Sequence, residues 1–203
     1  MATTRDLIVE KADALFYEGG FEATSFADIA VAVGISRGNF YHHFKTKDDI
    51  LDAVLALRTQ RTRAMLDAWQ AEGHGPRERI LRFVGIVVVN REAIMDHGCP
   101  VGTLVAELAK LGHGAQPRAV AIFELFRDWL AGEFRALGAG DAADALALRL
   151  LAWSQGVAIL ASAYRDEAFI RREVAAITDW LGGVPDPSKR TRSGGNTECS
   201  SRS

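Results

Sequence analysis

The sequence predicts an all-α fold, and three observations carry that prediction. Only 5 of the 203 residues are Pro. Apolar residues recur at helical spacing in nearly every segment from Arg5 to Gly182. No stretch alternates apolar and polar residues between turn signals, as a half-buried strand does. Gly and Pro punctuate the pattern into three short helices, a long connecting helix and five more. The expected organisation is a three-helix N-terminal domain (1–46), a larger helical domain (47–183) and a disordered tail (184–203).

The first helix, Thr4 to Glu18, sets Ile8, Ala12, Leu15 and Phe16 on one stripe. It stops at Gly19-Gly20, residues that tolerate the left-handed conformation of a helix end. Ser25, with Asp28 three positions on, is a capping-box start for a second helix that buries Phe26, Ile29, Ala30 and Val33. Gly34 permits a tight turn, and Ser36 caps a third helix reaching Phe44. Thr46 with Asp49 opens the fourth helix, Lys47 to about Glu72. At about 1.5 Å per residue it spans roughly 40 Å, enough to link two parts of a molecule mechanically.

Gly73-His74-Gly75-Pro76 is a break, and Pro76 suits the first turn of a fifth helix, Arg77 to Met95. Its Ile86-Val87-Val88-Val89 run favours strand by propensity, but helical flanks and the lack of a partner strand favour a buried helix. Gly98-Cys99-Pro100 starts the sixth helix, Gln116-Pro117 the seventh, Asp141 the eighth and Asp166 the ninth, which ends near Gly182-Gly183. Beyond Val184 almost nothing is apolar, and Lys189, Arg190 and Arg192 either touch a polyanion or are solvated.

Composition narrows the function. The chain is 48% apolar and 25% charged, typical of a globular protein. Its longest apolar run, Phe83 to Val89, falls short of the roughly 18 residues of a membrane span. Met1 to Asp6 lacks the basic and apolar parts of a secretory signal, so a cytoplasmic, membrane-free protein is expected. With only Cys99 and Cys199, no structural disulfide is expected. A formal net charge of −2 requires that any nucleic-acid contact come from a local patch.

Such a patch exists. Between Asp28 and Asp48 there is no Asp or Glu, while Arg37, Lys45 and Lys47 are basic and His42 and His43 can donate hydrogen bonds. Helix, Gly-containing turn and second short helix is the order of a helix-turn-helix, whose second helix enters the major groove. Gly38 inside that helix costs about 1 kcal/mol relative to Ala, which is easier to accept where a backbone approaches another molecule closely.

The run Ala23-Thr24-Ser25-Phe26-Ala27-Asp28-Ile29-Ala30, then Gly34-Ile35-Ser36-Arg37-Gly38-Asn39-Phe40-Tyr41-His42-His43-Phe44 and Lys45-Thr46-Lys47-Asp48-Asp49-Ile50-Leu51 closely resembles the signature of TetR-family repressors. The resemblance covers about the first quarter of the chain. It implies that Arg37, Asn39 and His42 read bases and that Thr24, Ser36, Tyr41, His43 and Lys47 meet phosphates, with Ser25 and Gly38 in the same DNA-binding set. Arg37 suits a guanine and Asn39 an adenine. His43 serves packing and capping equally well. The resemblance further implies a ligand-responsive homodimeric repressor on palindromic double-stranded operator DNA, released by a small-molecule inducer and needing no cofactor.

The seventh helix is apolar all round, with Ile122, Phe123, Leu125, Phe126, Trp129, Leu130 and Phe134, and is expected to be central. A ligand pocket is expected among Met95, Cys99, Phe123, Phe126, Trp153 and Gln155, although aromatics at helical spacing also serve as plain core. Gly98-Cys99-Pro100-Val101-Gly102-Thr103-Leu104 with Glu107-Leu108 resembles the same helix start in one TetR branch. Cys99 there is either a thiol switch, favoured by neighbouring N–H groups, or a structural residue. His97, Cys99 and His113 lack metal-site spacing, and no nucleophile–base pair is evident. Ile170, Val174, Ile177 and Leu181, with small Ala152, Gly156, Ala158, Ala161 and Ser162, form either an intramolecular core or a four-helix dimer seam, which the resemblance favours. The rival functions are an enzyme using a helical cavity and a DNA-binding regulator without an inducer.

Overall fold

A computed structural model of the chain describes residues 3–184, with Arg37 described by its backbone alone. Cys199 and the basic tail residues Lys189, Arg190 and Arg192 lie outside the described residues. The described residues form ten α-helices and one 3-10 turn: α1 (Thr4–Gly19), α2 (Phe26–Val33), α3 (Arg37–His43), α4 (Lys47–Ala71), α5 (Pro76–Val89), α6 (Arg91–His97), α7 (Pro100–Lys110), α8 (Gln116–Ala136), η1 (Gly140–Ala142), α9 (Ala143–Tyr164) and α10 (Glu167–Gly182). Among them no strand occurs, and the Ile86–Val89 run is helical.

Side-chain caps define the N-terminal helices. Thr3 with Asp6, Ser25 with Asp28 and Thr46 with Asp49 each form a reciprocal capping box, and the Ser36 hydroxyl accepts from Asn39 N–H. Hydrogen bonds from the Ser25 hydroxyl and N–H hold the Asp28 carboxyl below the usual range, and those from Thr46 do the same for Asp49. Gly34 ends α2 in the left-handed conformation at φ 75°, which turns the chain sharply into α3.

The expected fifth helix is two helices. Asn90 leaves the helical region at φ −102°, ψ 18°, and its side-chain amide donates to Ile86 O at 3.0 Å. That local bond competes with the helical ladder. The continuous apolar spacing across Val89 conceals the break, which redirects α6.

The core that closes α1–α3 also takes Ile50, Leu51 and Val54 from α4 and Leu104 and Leu108 from α7, so head and body share one apolar layer. A second layer joins α5, α8, α9 and α10 through Ile80, Phe83, Leu130, Phe134, Leu150 and Leu181. The stripe on α10 faces this interior. Ile170, Ile177 and Leu181 are buried within their own chain and Val174 packs beside them, so they form core and not an exposed seam. Periodicity identifies an apolar face without identifying what covers it.

On α9, Ala158 and Ala161 are likewise buried, whereas Leu148, Ala152, Gly156 and Ile159 stay exposed along one line. Gly140–Tyr164 reaches the length and apolar content of a membrane span, with a mean hydropathy of 1.4. Its inner face nevertheless packs against α5, α6, α8 and α10.

Candidate nucleic-acid interface and ligand cavity

The head presents α3 outward. Phe40 and Phe44 are buried, anchoring α3 against Phe26 of α2 with ring centroids of Phe26 and Phe40 5.1 Å apart. Around those anchors Gly38, Asn39 and His42 are exposed and His43 is half-buried. Tyr41 is half exposed and stacks on Phe26 with ring centroids 5.5 Å apart. Beyond its own helix, no protein atom lies within 4 Å of where a Gly38 Cβ would stand. The fold itself therefore places no demand for glycine at this position.

Three expected contact residues are engaged within the fold. Ser25 Oγ donates to Asp28 Oδ2 at 2.6 Å and accepts from Asp28 N–H, so its hydroxyl is committed to the cap. Thr24 is buried, and its hydroxyl donates inward to Gly20 O at 2.7 Å. Its side-chain surface and hydroxyl proton are both used inside the head. Lys47 Nζ lies 4.4 Å above the Phe21 ring and donates to Phe21 O and Glu22 O at 3.1 Å. It clasps the α1–α2 loop, and Glu22 stands 3.8 Å from its ammonium. The free cation expected from sequence is thus half-buried and already hydrogen-bonded.

The same loop is gripped from the body. Glu107 of α7 accepts from Phe21 N–H at 2.9 Å and Glu22 N–H at 2.8 Å. Gly20 sits at φ 91°, and a Cβ there would stand 3.2 Å from the Glu107 carboxylate. Only glycine serves both the backbone turn and this close approach. Arg58, buried on α4, donates to Asp13 Oδ1 of α1 at 2.5 Å and to Pro100 O at the start of α7.

Between the helices of the body lies a cavity of about 210 Å3, walled by Phe83, Ile86 and Val87 of α5, Ile94 of α6, Cys99, Pro100 and Val101 at the start of α7, Phe123 and Phe126 of α8, and Leu151, Ser154 and Gln155 of α9. Of the expected pocket residues, Cys99, Phe123, Phe126 and Gln155 line it. Met95 and Trp153 do not. They pack instead into the adjoining cluster of Val87, Ile94, Val157 and Ile170, and the redirected α6 accounts for the displacement of Met95.

Cys99 is the N-cap of α7, its Sγ accepting from Gly102 N–H at 3.4 Å and from Gln155 Nε2 at 3.5 Å. Among the described residues no cluster of His, Cys, Asp and Glu suits a metal ion.

Twelve of the sixteen wall residues were not anticipated from sequence, and Tyr17 is the one among them that comes from the head. Tyr17 belongs to α1 of the head, yet its ring reaches the cavity, and its hydroxyl lies 2.9 Å from Ala93 O and 2.8 Å from Gly98 O. Burial pushes its phenol up to about 12, so it stays a protonated donor. The only signal in the sequence was a polar-tipped aromatic beside the apolar stripe of α1, four residues after Asp13.

Comparison with known proteins agrees with this geometry. The sequence profile of the bacterial regulatory proteins of the tetR family matches residues 8–54, which include α2 and α3. The repressor DhaR of Mycobacterium sp. (strain GP1) is 26% identical over 121 residues, 59% of this chain and 60% of that protein. KstR2 of Mycobacterium tuberculosis (strain ATCC 25618 / H37Rv), also a transcriptional repressor by name, is 33% identical over 118 residues, 56% of this chain and 54% of that protein. The matches thus span little more than half the length of these relatives. The crystal structure of a TetR transcriptional regulator from Legionella pneumophila superposes with a TM-score of 0.79 at 27% identity, covering 89% of this chain and 97% of that one. The tetR-family profile over residues 8–54, an all-helical fold matched along nearly its whole length and relatives named as transcriptional regulators agree: residues 8–54 carry a tetR-type DNA-binding unit, and the chain as a whole is similar to TetR-family transcriptional regulators.

Proposed function

We propose that the protein is a homodimeric repressor that binds palindromic operator DNA and is released when a small-molecule inducer occupies the cavity. The observation that carries this reading is Tyr17: one residue of the DNA-binding head is also a wall of the cavity, hydrogen-bonded to the carbonyls of Ala93 and Gly98. A ligand that displaces the Tyr17 ring or the α7 start acts directly on α1. Arg58 couples the same start of α7 to α1 and to the long α4, so the three helices move together. The repressing direction is supported by the names of DhaR and KstR2.

Two heads on a dimer must present their α3 helices at about 34–36 Å, the spacing of successive major grooves. A ligand that favours another spacing releases the DNA by population shift, and a hundredfold loss of operator affinity requires about 2.7 kcal/mol of differential binding. The exposed line Leu148, Ala152, Gly156 and Ile159 on α9 supplies the apolar face for the second copy. Its small central residues permit close helix packing.

The test uses Tyr17→Phe, which keeps the ring and removes the hydroxyl. Operator binding is followed by fluorescence anisotropy and folding by thermal melting. The reading expects the variant to stay folded while its operator affinity changes by about fivefold or more, the scale of coupling energies between distant sites. Unchanged affinity in this variant and in Arg58→Gln would overturn the proposed link.

A further inference from the structure

The lining of the cavity restricts what can occupy it. All sixteen wall residues lack a charged side chain. Phe83 of α5 and Phe126 of α8 meet edge to face with centroids 5.6 Å apart, and Phe123 adds a third phenyl. The volume, about 210 Å3, sets the size. An engineered apolar cavity of about 150 Å3 admits benzene, so the present one has room for one ring and a short substituent.

Polarity at the walls is equally one-sided. The Ser154 hydroxyl donates to Leu151 O at 2.7 Å and the Tyr17 hydroxyl to backbone carbonyls, while Gln155 Nε2 is turned to Cys99 Sγ and Ser154 Oγ. The hydroxyl and amide donors of the lining are therefore engaged, including Asn90 Nδ2, which donates to Ile86 O at 3.0 Å. Among the described residues no donor meets Gln155 Oε1, which rests against Gly102, or the side-chain oxygen of Asn90, so two lining amide oxygens are open acceptors. A charged ligand would lose its hydration without gaining a counter-charge, at a cost of several kcal/mol. A ligand with one hydroxyl or N–H instead satisfies an acceptor that otherwise lacks a partner.

We infer that the inducer is a compact uncharged molecule, one ring bearing a short substituent with a single hydrogen-bond donor, recognised by Gln155 and the phenyl walls. This rests on the reading of the cavity as the sensor site. It excludes carboxylates, quaternary or primary ammonium ions and ligands of several rings.

The test titrates the full chain with benzyl alcohol, benzyl methyl ether, benzoate and benzylamine, by calorimetry and thermal shift, and follows operator anisotropy in parallel. Benzyl alcohol should bind, the ether about tenfold more weakly for want of its donor, and the two ions at least about 100-fold more weakly. Gln155→Leu should remove the preference for alcohol over ether and leave the unliganded protein folded. Because the alcohol–ether comparison is also made on wild type, the inference does not depend on how the variant folds. Equal binding of benzoate or benzylamine, equal binding of alcohol and ether by wild type, or no binding by the alcohol would each overturn it. Binding of the alcohol with the expected ranking but no change in operator affinity would support the ligand class while contradicting the regulatory reading.

Discussion

Gly38→Ala separates a glycine kept for the fold from one kept for a partner. Position 38 is the second residue of α3, exposed, with no atom beyond its own helix within 4 Å of the added methyl. The substitution therefore meets no steric resistance in the free protein, and it removes the conformational freedom that glycine contributes to the unfolded chain. The expected gain is about 0.5–1 kcal/mol, which for a domain of this size raises the melting midpoint by about 2–4 °C at most. At a DNA interface the same methyl occupies space that the backbone needs, and operator affinity should fall at least about tenfold, or 1.4 kcal/mol. Melting curves and operator anisotropy on one preparation give both numbers. Opposite movement of stability and affinity is the expected signature. An Ala variant that bound operator within about twofold of wild type would remove the α3 backbone from the interface, and one that melted lower would contradict the open space at this position.

Other substitutions test the remaining parts. Ile159→Asp should yield a folded monomer by analytical sedimentation, because Ile159 is exposed in the protomer, whereas Ile177→Asp should unfold the chain by placing a charge in its core. Lys47→Ala should lower stability by about 1–3 kcal/mol in a denaturant titration, since it strips two carbonyls of their donor. Its salt slope for DNA should fall by less than the roughly one unit of a free phosphate contact. Ser25→Ala should raise the Asp28 carboxyl toward its ordinary value, read by NMR titration. Because the folded value lies below the unfolded one, Asp28 contributes stability above about pH 3.9, and that contribution is lost as the pH falls through the folded value.

The head was legible because its information is local. Ser25 and Asp28, Ser36, Thr46 and Asp49 satisfy backbone groups three residues away, so their spacing alone locates α2, α3 and α4. The acid-free window needed no tertiary knowledge either. What was not legible depends on which surface meets which. The stripe of Ile170, Ile177 and Leu181 has the same period whether a second copy or its own α5 and α9 covers it. Lys47 reads as a free cation until the α1–α2 loop folds over it. Tyr17 enters the cavity, and Met95 leaves it, through the break at Asn90 and the packing of α1 on α7, contacts 76 or more residues apart in sequence for Tyr17.

What the head selects from a random duplex pool tests operator reading by α3 most directly. Sequencing the duplexes retained by wild type should return an inverted repeat whose half-sites are a helical turn or a multiple apart. Arg37→Ala and Asn39→Ala should each relax preference at defined positions within the half-site, without a uniform loss of affinity. Retention of duplexes with no shared sequence, or an inverted repeat unchanged by both substitutions, would contradict the claim that α3 reads the operator.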